Sequence, residues 1–170
     1  AQAQWCGIRP GFRVLDVGCG PGKTTSILHQ IVKPDGQVVG IDFSKERILR
    51  ARELYGKAPG IHFEVCDFTK PIHSGLGNFD CIWIRFVLEY HAKESLNIIR
   101  NVTECLRPGG YLCLLDLDHN CLNHYALPDK MERILFKIVK AMETEYDFDP
   151  YAGRKLYSYL YDLDYQSIQM

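Results

Sequence analysis

Short apolar runs alternate with amphipathic stretches along the first 118 residues of the chain. The runs predict strands at residues 12–17, 37–42, 61–66, 79–84 and 111–117, and the amphipathic stretches predict helices at 23–32, 44–55 and 92–106. Ser44 is the predicted N-cap of the second helix, and Arg107-Pro-Gly-Gly110 is predicted to end the third. Because strands that are almost continuously apolar are covered on both faces, the pattern predicts a doubly wound α/β fold, with a mainly parallel sheet and helices on both faces.

The pattern changes after residue 118. Residues 128–145 and 151–162 are predicted to be helices, and residues 165–170 are predicted to begin a sixth strand. The first of these helices carries an apolar stripe that we expect to pack in the core, formed by Met131, Ile134, Leu135, Ile138, Val139 and Met142. Six of the ten tyrosines lie between residues 146 and 165. They are expected to pack at a domain edge, and the alternative is that some of them line a substrate pocket.

Composition narrows the class of protein. The 170 residues are 46% hydrophobic and 24% charged, with a formal net charge of −1, which is typical of one globular domain and excludes disorder. Dispersed charges give no reason to expect a nucleic-acid partner, and the apolar runs are too short for a membrane span. The seven cysteines show no C-x-x-C spacing, so we expect buried reduced thiols and no metal site. With no secretory signal visible, the predicted compartment is the cytoplasm.

Carboxylates stand at most of the predicted strand ends. The strand-end residues are Asp16, Asp42, Asp67 and Arg85, followed by Asp116 with Asp118 after the fifth strand. In an open α/β sheet a ligand binds beyond the carboxyl ends of the strands. The glycine-rich loop at residues 18–22 follows the first strand, so the ligand chemistry depends on how this loop is interpreted.

Three interpretations of the loop are available. A phosphate-binding loop of the G-x-x-x-x-G-K-[ST] type would need glycine at position 17, where the chain has Val17, so this interpretation fails. A dinucleotide loop would need glycine at position 23, where Lys23 stands, and Asp16 would then lie near a diphosphate, so this interpretation survives only weakly. The third is a cationic nucleoside without phosphates. Asp42 could accept hydrogen bonds from a ribose diol, Asp67 from the exocyclic amine of adenine, and Asp16 would face a cationic group.

Four motifs, in order, resemble those of a known family. Val14-Leu-Asp-Val-Gly-Cys-Gly-Pro-Gly22 resembles the first motif of the class I S-adenosylmethionine-dependent methyltransferases. Val39-Gly-Ile-Asp-Phe-Ser44 and Val65-Cys-Asp-Phe68 are similar to their ribose-binding and adenine-binding strand ends, and Leu106-Arg-Pro-Gly-Gly-Tyr-Leu112 to the turn before their fifth strand. The resemblance covers about residues 10–118. It implies one domain over 1–170, with a cofactor half at about 10–118 and a helical, substrate-side segment at about 119–170.

The resemblance also implies site residues. Around the methionine part of S-adenosylmethionine it places Asp16, Gly18, Cys19, Gly20, Gly22 and Thr25. Around the nucleoside it places Asp42, Phe43, Arg47, Cys66, Asp67 and Phe68. Near the sulfonium it places Arg85 and Phe86. For Thr25 the alternative is an ordinary threonine at a helix start, and for Arg47 a solvated helix charge. Members of the family usually have seven strands, so we expect the C-terminal strands of this chain to be incomplete.

The resemblance implies methyl transfer from S-adenosylmethionine to an O, N or C acceptor, with S-adenosylhomocysteine as product. His91 is the best-placed candidate for a general base, and the alternative is that it caps a helix or lines the cofactor pocket; Asp118 and His119 form a second candidate pair. The segment at residues 84–91 is similar to the small-molecule branch of the family, so a small-molecule acceptor is expected and a protein substrate stays open. Two other functions also stay open: a silent S-adenosylmethionine-binding regulatory or scaffold domain, and an NAD-dependent oxidoreductase.

Overall fold

The computed structural model describes residues 2–119 and 124–170. Five strands and six helices are assigned within these ranges. In chain order they are α1 (Gln2–Trp5), β1 (Arg13–Val17), α2 (Lys23–Val32), β2 (Gln37–Asp42), α3 (Lys45–Tyr55), β3 (Ile61–Val65), β4 (Phe79–Arg85), α4 (Ser95–Thr103), β5 (Leu106–Leu115), α5 (Asp129–Glu145) and α6 (Ala152–Asp162). Short 3-10 turns lie at Ser74–Leu76 and Leu88–Tyr90.

The strands form one sheet in the order β3-β2-β1-β4-β5. The central strand β1 is parallel to β2 and β4, and Val17 lies opposite both Ile41 and Ile84. The carboxyl ends of β1, β2 and β4 therefore meet at one edge of the sheet, and the strand order reverses between β1 and β4. Such a reversal is where open α/β sheets bind ligands. The predicted doubly wound α/β fold is confirmed.

The centre of the sheet explains why the strand sequences are almost continuously apolar. Val14, Leu15, Ile41, Ile82 and Ile84 are each 0% exposed. Side chains on both faces of these strands are covered, so the strands do not alternate between apolar and polar positions. Burying a side chain of this size stabilises the folded state by about 1.5–3 kcal/mol relative to leaving it exposed.

Two predicted elements have different bounds in the structure. The helix expected at 92–106 spans only Ser95–Thr103, because the amide of Ala92 donates to the Asp147 carbonyl at 3.0 Å and Ser95 Oγ donates to the His91 carbonyl at 2.8 Å. The strand expected at 111–117 spans Leu106–Leu115, since the Cys105 carbonyl already accepts a bond from β4. Arg107-Pro-Gly-Gly110 therefore lies inside the strand and does not end the helix.

The chain divides into two compact units. The first unit comprises the residues up to Arg85 together with Asn97–Leu114, and the second comprises Phe86–Leu96 and Leu115–Met170. The second unit thus draws on two separated stretches of sequence, whereas the predicted halves at about 10–118 and 119–170 are contiguous. That the chain is one domain over 1–170 stays a prediction.

Two expectations for the C-terminal part are wrong. The apolar stripe of α5 is not a core face, because no residue of this helix is buried and Met131, Ile134 and Ile138 are 52%, 42% and 51% exposed. Periodicity predicted the helix correctly, but whether other residues cover its stripe depends on tertiary packing. Residues 165–170 form no strand.

The six described cysteines are free thiols, and five of them are buried, as predicted for reduced cysteines that pack as small apolar side chains. Cys121 lies outside the described residues. Within the described ranges, no group of His, Cys, Asp or Glu side chains is arranged to hold a metal ion. The helices of residues 2–119 and 124–170 also include none with the length and apolar character needed to cross a bilayer.

Candidate functional site

Asp42, at the end of β2, connects the glycine loop to the start of α3. One carboxylate oxygen, Oδ2, accepts a hydrogen bond from the Gly20 amide at 2.9 Å, and Oδ1 accepts one from the Ser44 amide at 2.9 Å. The Asp42 carbonyl accepts from the Cys66 amide at 3.0 Å, which brings the end of β3 to the same place. Asp42 is only 2% exposed. It therefore organises the loop and the strand ends around a buried negative charge.

Gly20 and Gly22 of the loop are glycine for different physical reasons. Gly20 and Gly22 both have positive φ, 53° and 85°. A Cβ on Gly20 would have no neighbour within 4 Å, so open space lies beside it, whereas a Cβ on Gly22 would come within 2.7 Å of the Phe63 ring and 3.0 Å of Ala51. Gly22 therefore permits core packing, and Gly20 is the position where a ligand can approach the backbone.

The remaining loop residues are held against β2. The amides of Gly18 and Cys19 donate to the Ile41 carbonyl at 2.8 and 3.0 Å. The Cys19 side chain is buried, and burial raises the pKa of its thiol. Any contact of Cys19 with a ligand would thus involve its backbone.

Asp16 and Thr25 form a buried pair beneath the loop. Thr25 Oγ1 donates a hydrogen bond of 2.6 Å to Asp16 Oδ2, and the two residues are 0% and 2% exposed respectively. Burial raises the pKa of Asp16 to about 7, opposed by the Thr25 hydrogen bond and the charge of Arg85. The threonine hydroxyl predicted to reach a cofactor carboxylate is therefore bonded to Asp16 in this structure.

Asp67, predicted to read an adenine edge, is bonded within its own turn. Its Oδ1 accepts from the Thr69 hydroxyl at 2.6 Å, and its Oδ2 pairs with Lys70 Nζ at 2.8 Å. The bond and charge of Lys70 hold the pKa of Asp67 below its usual value. Phe68 is buried beside it, and its carbonyl accepts a bond from Asn101 Nδ2.

Three predicted residues around these strand ends are open to solvent. Phe43 has 59% of its surface exposed, directly after Asp42, although large apolar side chains are usually covered. Arg47 is also exposed, with Nη1 4.0 Å from Asp42 Oδ2. Arg85 is exposed at the end of β4. An aromatic ring and two arginine side chains are thus exposed to solvent at this edge.

These residues fit the nucleoside that the sequence implies. A carboxylate has about four acceptor positions, so Asp42 keeps about two after its amide bonds, which matches the two hydroxyls of a ribose. The open space beside Gly20 and the exposed ring of Phe43 offer a backbone approach and a stacking surface. The role of each residue stays a prediction.

The second unit contains the other strand-end candidates. Phe86 has a φ of 55°, which is uncommon for a residue other than glycine, and it is 42% exposed. His91 is half-buried, and its carbonyl accepts the Ser95 hydroxyl at the start of α4, so the backbone of His91 takes part in capping that helix. Asp118 pairs with Arg154. The chemical role of these residues is untested by this geometry.

Sequence reasoning named Asp116 as a strand-end residue of this unit but did not single out Glu89, whose amide bonds to it. Asp116 Oδ2 accepts the amides of Val87, Leu88 and Glu89, at 3.3, 2.8 and 3.3 Å. Glu89 is 2% exposed, and its Oε2 has no hydrogen-bond partner among the described residues. Burial, and then the charge of Asp116, raises the pKa of Glu89 to about 7. No sequence signal marks Glu89, because its burial depends on the segment near Asp149, whose amide donates to the Glu89 carbonyl.

The raised pKa of Glu89 predicts a pH-dependent stability. Its pKa is about 7 when folded and about 4.5 when unfolded, so between these pH values the unfolded chain has lost a proton that the folded chain keeps. The free energy of unfolding should therefore fall as pH rises from 5 to 7. We expect Glu89→Gln to remove roughly 1–3 kcal/mol of this fall, measured by urea denaturation at each pH.

Glu46→Gln is the matched control. Glu46 is exposed, and hydrogen bonds from its own backbone and from Ser44 lower its pKa, so its contribution to stability is lost only below pH 5. This variant should keep the slope of the parent chain between pH 5 and 7. An unchanged slope in Glu89→Gln would contradict the assignment of a protonated Glu89.

A cavity of about 610 Å³ lies within the second unit. It is lined by α5 and by residues around its start, together with His119 and Tyr151. The sequence indicated His119 as a candidate and Tyr151 among the clustered tyrosines, but it predicted Leu135 and Val139 of α5 to be core. The structure thus brings together residues that the sequence had assigned to different roles.

Comparisons with known proteins agree with the fold and the motifs. The profile of a family described as "Methyltransferase domain" matches residues 8–161. An O-methyltransferase of Penicillium expansum is 36% identical over 116 residues, covering 65% of this chain and 41% of that protein. A demethylmenaquinone methyltransferase of Staphylococcus aureus is 29% identical over 148 residues, covering 84% of this chain and 60% of that protein. A solved methyltransferase structure from Aquifex aeolicus superposes with a TM-score of 0.61 at 22% identity, covering 84% of this chain and 75% of that one.

The chain spans between about one third and three fifths of the length of the curated relatives, 32% of one and 60% of another. The family match nevertheless extends from before β1 into the last turn of α6, and it includes the glycine loop, Asp42 and most of the second unit. On this evidence the chain belongs to the methyltransferase domain family.

Proposed function

We propose that the chain is a methyltransferase that binds S-adenosylmethionine at the strand ends of the first unit and methylates a small-molecule acceptor. The observation that carries the proposal is the junction at Asp42. A buried carboxylate at the end of β2 bonds to the Gly20 and Ser44 amides, and open space lies beside Gly20. This combination supplies hydroxyl acceptors and backbone access in one place.

Each part of the nucleoside has a matching group. Asp42 would hold the ribose hydroxyls, while Phe43 and Arg47 would lie against the adenine face. Asp67 and the Phe68 amide would bond to the adenine edge, with Asp67 using an acceptor position that its bonds to Thr69 and Lys70 leave.

The amino-acid end of the ligand would lie at the loop itself. Gly18, Cys19 and Gly20 would present backbone to it, above the buried Asp16–Thr25 pair. The ammonium of the ligand would favour the charged form of Asp16, whose pKa of about 7 makes it sensitive to a nearby positive charge. Binding of the ligand is therefore expected to release a fraction of a proton near pH 7.

The sulfonium of S-adenosylmethionine supplies an activated methyl group. The protein's part is to hold the acceptor in line with that group and to exclude water, and positioning of this kind can lower a barrier by up to ~7–11 kcal/mol. A base is needed only if the acceptor reaches the site as a hydroxyl or as a protonated amine. His91 and the pair of Asp118 with His119 remain the candidates for that role.

A small-molecule acceptor is supported by two observations. The relatives include proteins named as an O-methyltransferase and a demethylmenaquinone methyltransferase. The formal net charge of −1 also offers no excess of positive charge for a nucleic acid. We further propose a cytoplasmic location, because free buried thiols suit a reducing compartment.

Calorimetric titration of the folded chain with S-adenosylmethionine, S-adenosylhomocysteine and NADH tests the proposal. We expect the first two to bind with micromolar dissociation constants and NADH not to bind. Titration in two buffers of different ionisation enthalpy should also show the proton release expected from Asp16. Binding of NADH alone would contradict the proposal and favour an oxidoreductase.

A further inference from the structure

The cavity of the second unit has the size and composition of a small-molecule site. Its volume of about 610 Å³ lies within the range of about 300–1,000 Å³ that is typical of ligand pockets. Every residue that lines it belongs to the second unit. None of its lining residues belongs to the strand-end site around Asp42.

Aromatic rings dominate the wall of the cavity. Five of its eleven lining residues carry a ring, namely His119, His124, Tyr125, Phe136 and Tyr151. Leu127, Leu135 and Val139 add aliphatic surface. Because rings attract other rings in stacked or edge-to-face arrangements, this wall favours a planar aromatic ligand.

Arg154 packs against Tyr151, which forms a pair of rings with His119 at one side of the cavity. The rings of His119 and Tyr151 lie 5.0 Å apart at 40°, and the Arg154 guanidinium lies 4.5 Å from the centre of the Tyr151 ring. Arg154 is in turn paired with Asp118. Asp118, which the sequence suggested as a catalytic partner of His119, thus acts on His119 through Arg154 and Tyr151.

The charged groups of the cavity disfavour an anionic ligand, and His119 offers a hydrogen-bonding partner for a hydroxyl. The charged lining residues are Glu132, Lys140 and Glu143, and Lys140 Nζ is paired with Glu143 at 3.1 Å. An anionic ligand would therefore meet no unpaired cation among these three. His119 Nδ1 is buried without a hydrogen-bond partner among the described residues, and a neutral imidazole has one nitrogen that donates and one that accepts. Its imidazole can accordingly accept a bond from a hydroxyl or donate one to it.

We propose that this cavity binds a planar aromatic hydroxy compound, with its ring against Tyr151 and Phe136 and its hydroxyl bonded to His119. That this compound is the methyl acceptor is an inference that rests on the proposed methyltransferase function. As a binding site, it stands on the cavity alone.

Equilibrium dialysis of the full chain against 1-naphthol tests the binding site. Three matched ligands serve for comparison. Naphthalene lacks the hydroxyl, 1-naphthoate carries a negative charge, and 1-naphthylmethylamine carries a positive charge. We expect 1-naphthol to bind most tightly of the four. Tighter binding of the anion or the cation would overturn the assignment of a neutral hydroxy compound.

Two neighbouring positions on α5 provide a variant and its control. Val139 lines the cavity, whereas Ile138 is 51% exposed and does not. Val139→Trp should narrow the cavity and weaken 1-naphthol binding at least about tenfold, while Ile138→Trp should leave it within about twofold. Both positions are on the surface of the helix, so both variants should fold. Equal effects of the two substitutions would contradict the site.

His119→Ala separates the hydroxyl contact from ring packing. Both ligands should lose ring packing and only 1-naphthol should lose a hydrogen bond, so we expect 1-naphthol binding to weaken about fivefold more than naphthalene binding. An equal loss for both ligands would mean that His119 contributes ring packing only, which overturns the hydroxyl assignment.

Titration with S-adenosylhomocysteine keeps the two proposals distinguishable. It should bind the parent chain and Val139→Trp with the same affinity. Binding of 1-naphthol without S-adenosylhomocysteine would retain the cavity as a ligand site and contradict the proposed methyltransferase function. The reverse result would contradict the cavity proposal alone.

Discussion

Asp42→Ala should weaken the binding of S-adenosylhomocysteine by about 10- to 150-fold. Hydrogen bonds to a charged group contribute roughly 1.5–3 kcal/mol, and each 1.4 kcal/mol corresponds to a tenfold change in affinity. The effect should be large because Asp42 both offers acceptors to the ribose and holds the Gly20 and Ser44 amides. Isothermal titration calorimetry measures the loss directly.

The 2′-deoxy analogue of S-adenosylhomocysteine separates these two roles of Asp42. If the carboxylate bonds to the ribose, the parent chain should bind the analogue more weakly than the normal ligand, and Asp42→Ala should bind the two alike. If the carboxylate acts only by holding the loop, removal of the hydroxyl should have the same effect in both proteins. This second pattern would contradict the ribose assignment.

Glu53→Ala is the control for the change of charge. Glu53 is an exposed carboxylate of α3 whose pair with Arg50 lies on the surface, so its removal alters the net charge by the same amount. We expect nearly unchanged affinity in this variant, because surface ion pairs contribute little. A comparable loss of binding in Glu53→Ala would mean that net charge, and not the junction at Asp42, governs affinity.

Gly22→Ala should lower the free energy of unfolding by about 2–5 kcal/mol. A left-handed backbone costs a residue with a Cβ about 1–2 kcal/mol, and overpacking a core adds typically 1–3 kcal/mol. Both apply at Gly22, since its φ is 85° and the added carbon would meet the buried Phe63 ring at 2.7 Å. Chemical denaturation at fixed pH measures the change.

Two other glycines separate strain from packing. Gly11 and Gly20 also have positive φ, and a Cβ on either would meet nothing within 4 Å. Gly11→Ala and Gly20→Ala should each cost only the backbone term, about 1–2 kcal/mol. Gly20→Ala should in addition weaken S-adenosylhomocysteine binding, whereas Gly11→Ala should not. A Gly22→Ala variant as stable as Gly11→Ala would show that Phe63 does not restrict this position.

Much of the first unit follows from local sequence patterns. The structure confirms the predicted strands at residues 37–42 and 79–84 within one residue, and the helix at residues 23–32 has its predicted bounds. Ser44 caps α3 as expected, with its Oγ accepting the Arg47 amide at 3.2 Å. These features depend on residues a few positions apart, so periodicity and capping chemistry are sufficient to predict them.

The C-terminal predictions show where local patterns stop being sufficient. Residues 129–145 and 152–162 are helical, as periodicity predicts. Yet the stripe containing Met131 and Ile138 is exposed, and Leu135 and Val139 line a cavity. Periodicity determines which side chains share a face of a helix, but burial of that face depends on which other segments lie against it.

The sequence by itself determined the order of strands and helices, the family motifs and the carboxylates at the strand ends, because these depend on neighbouring residues and on the direction of parallel strands. Only the tertiary structure decided which groups bond to those carboxylates. Asp16 accepts a hydrogen bond from Thr25, Asp42 accepts bonds from two backbone amides, and Asp67 bonds to Thr69 and Lys70. It also decided that Gly22 packs against the core while Gly20 faces open space, and it gathered His119, Tyr151 and α5 around one cavity. The physical reason is distance along the chain: the Gly20 amide that bonds to Asp42 and the Phe63 ring beside Gly22 come from distant residues, about which a local pattern carries no information. Thr69 and Lys70, by contrast, stand within three residues of Asp67 and form a local turn with it.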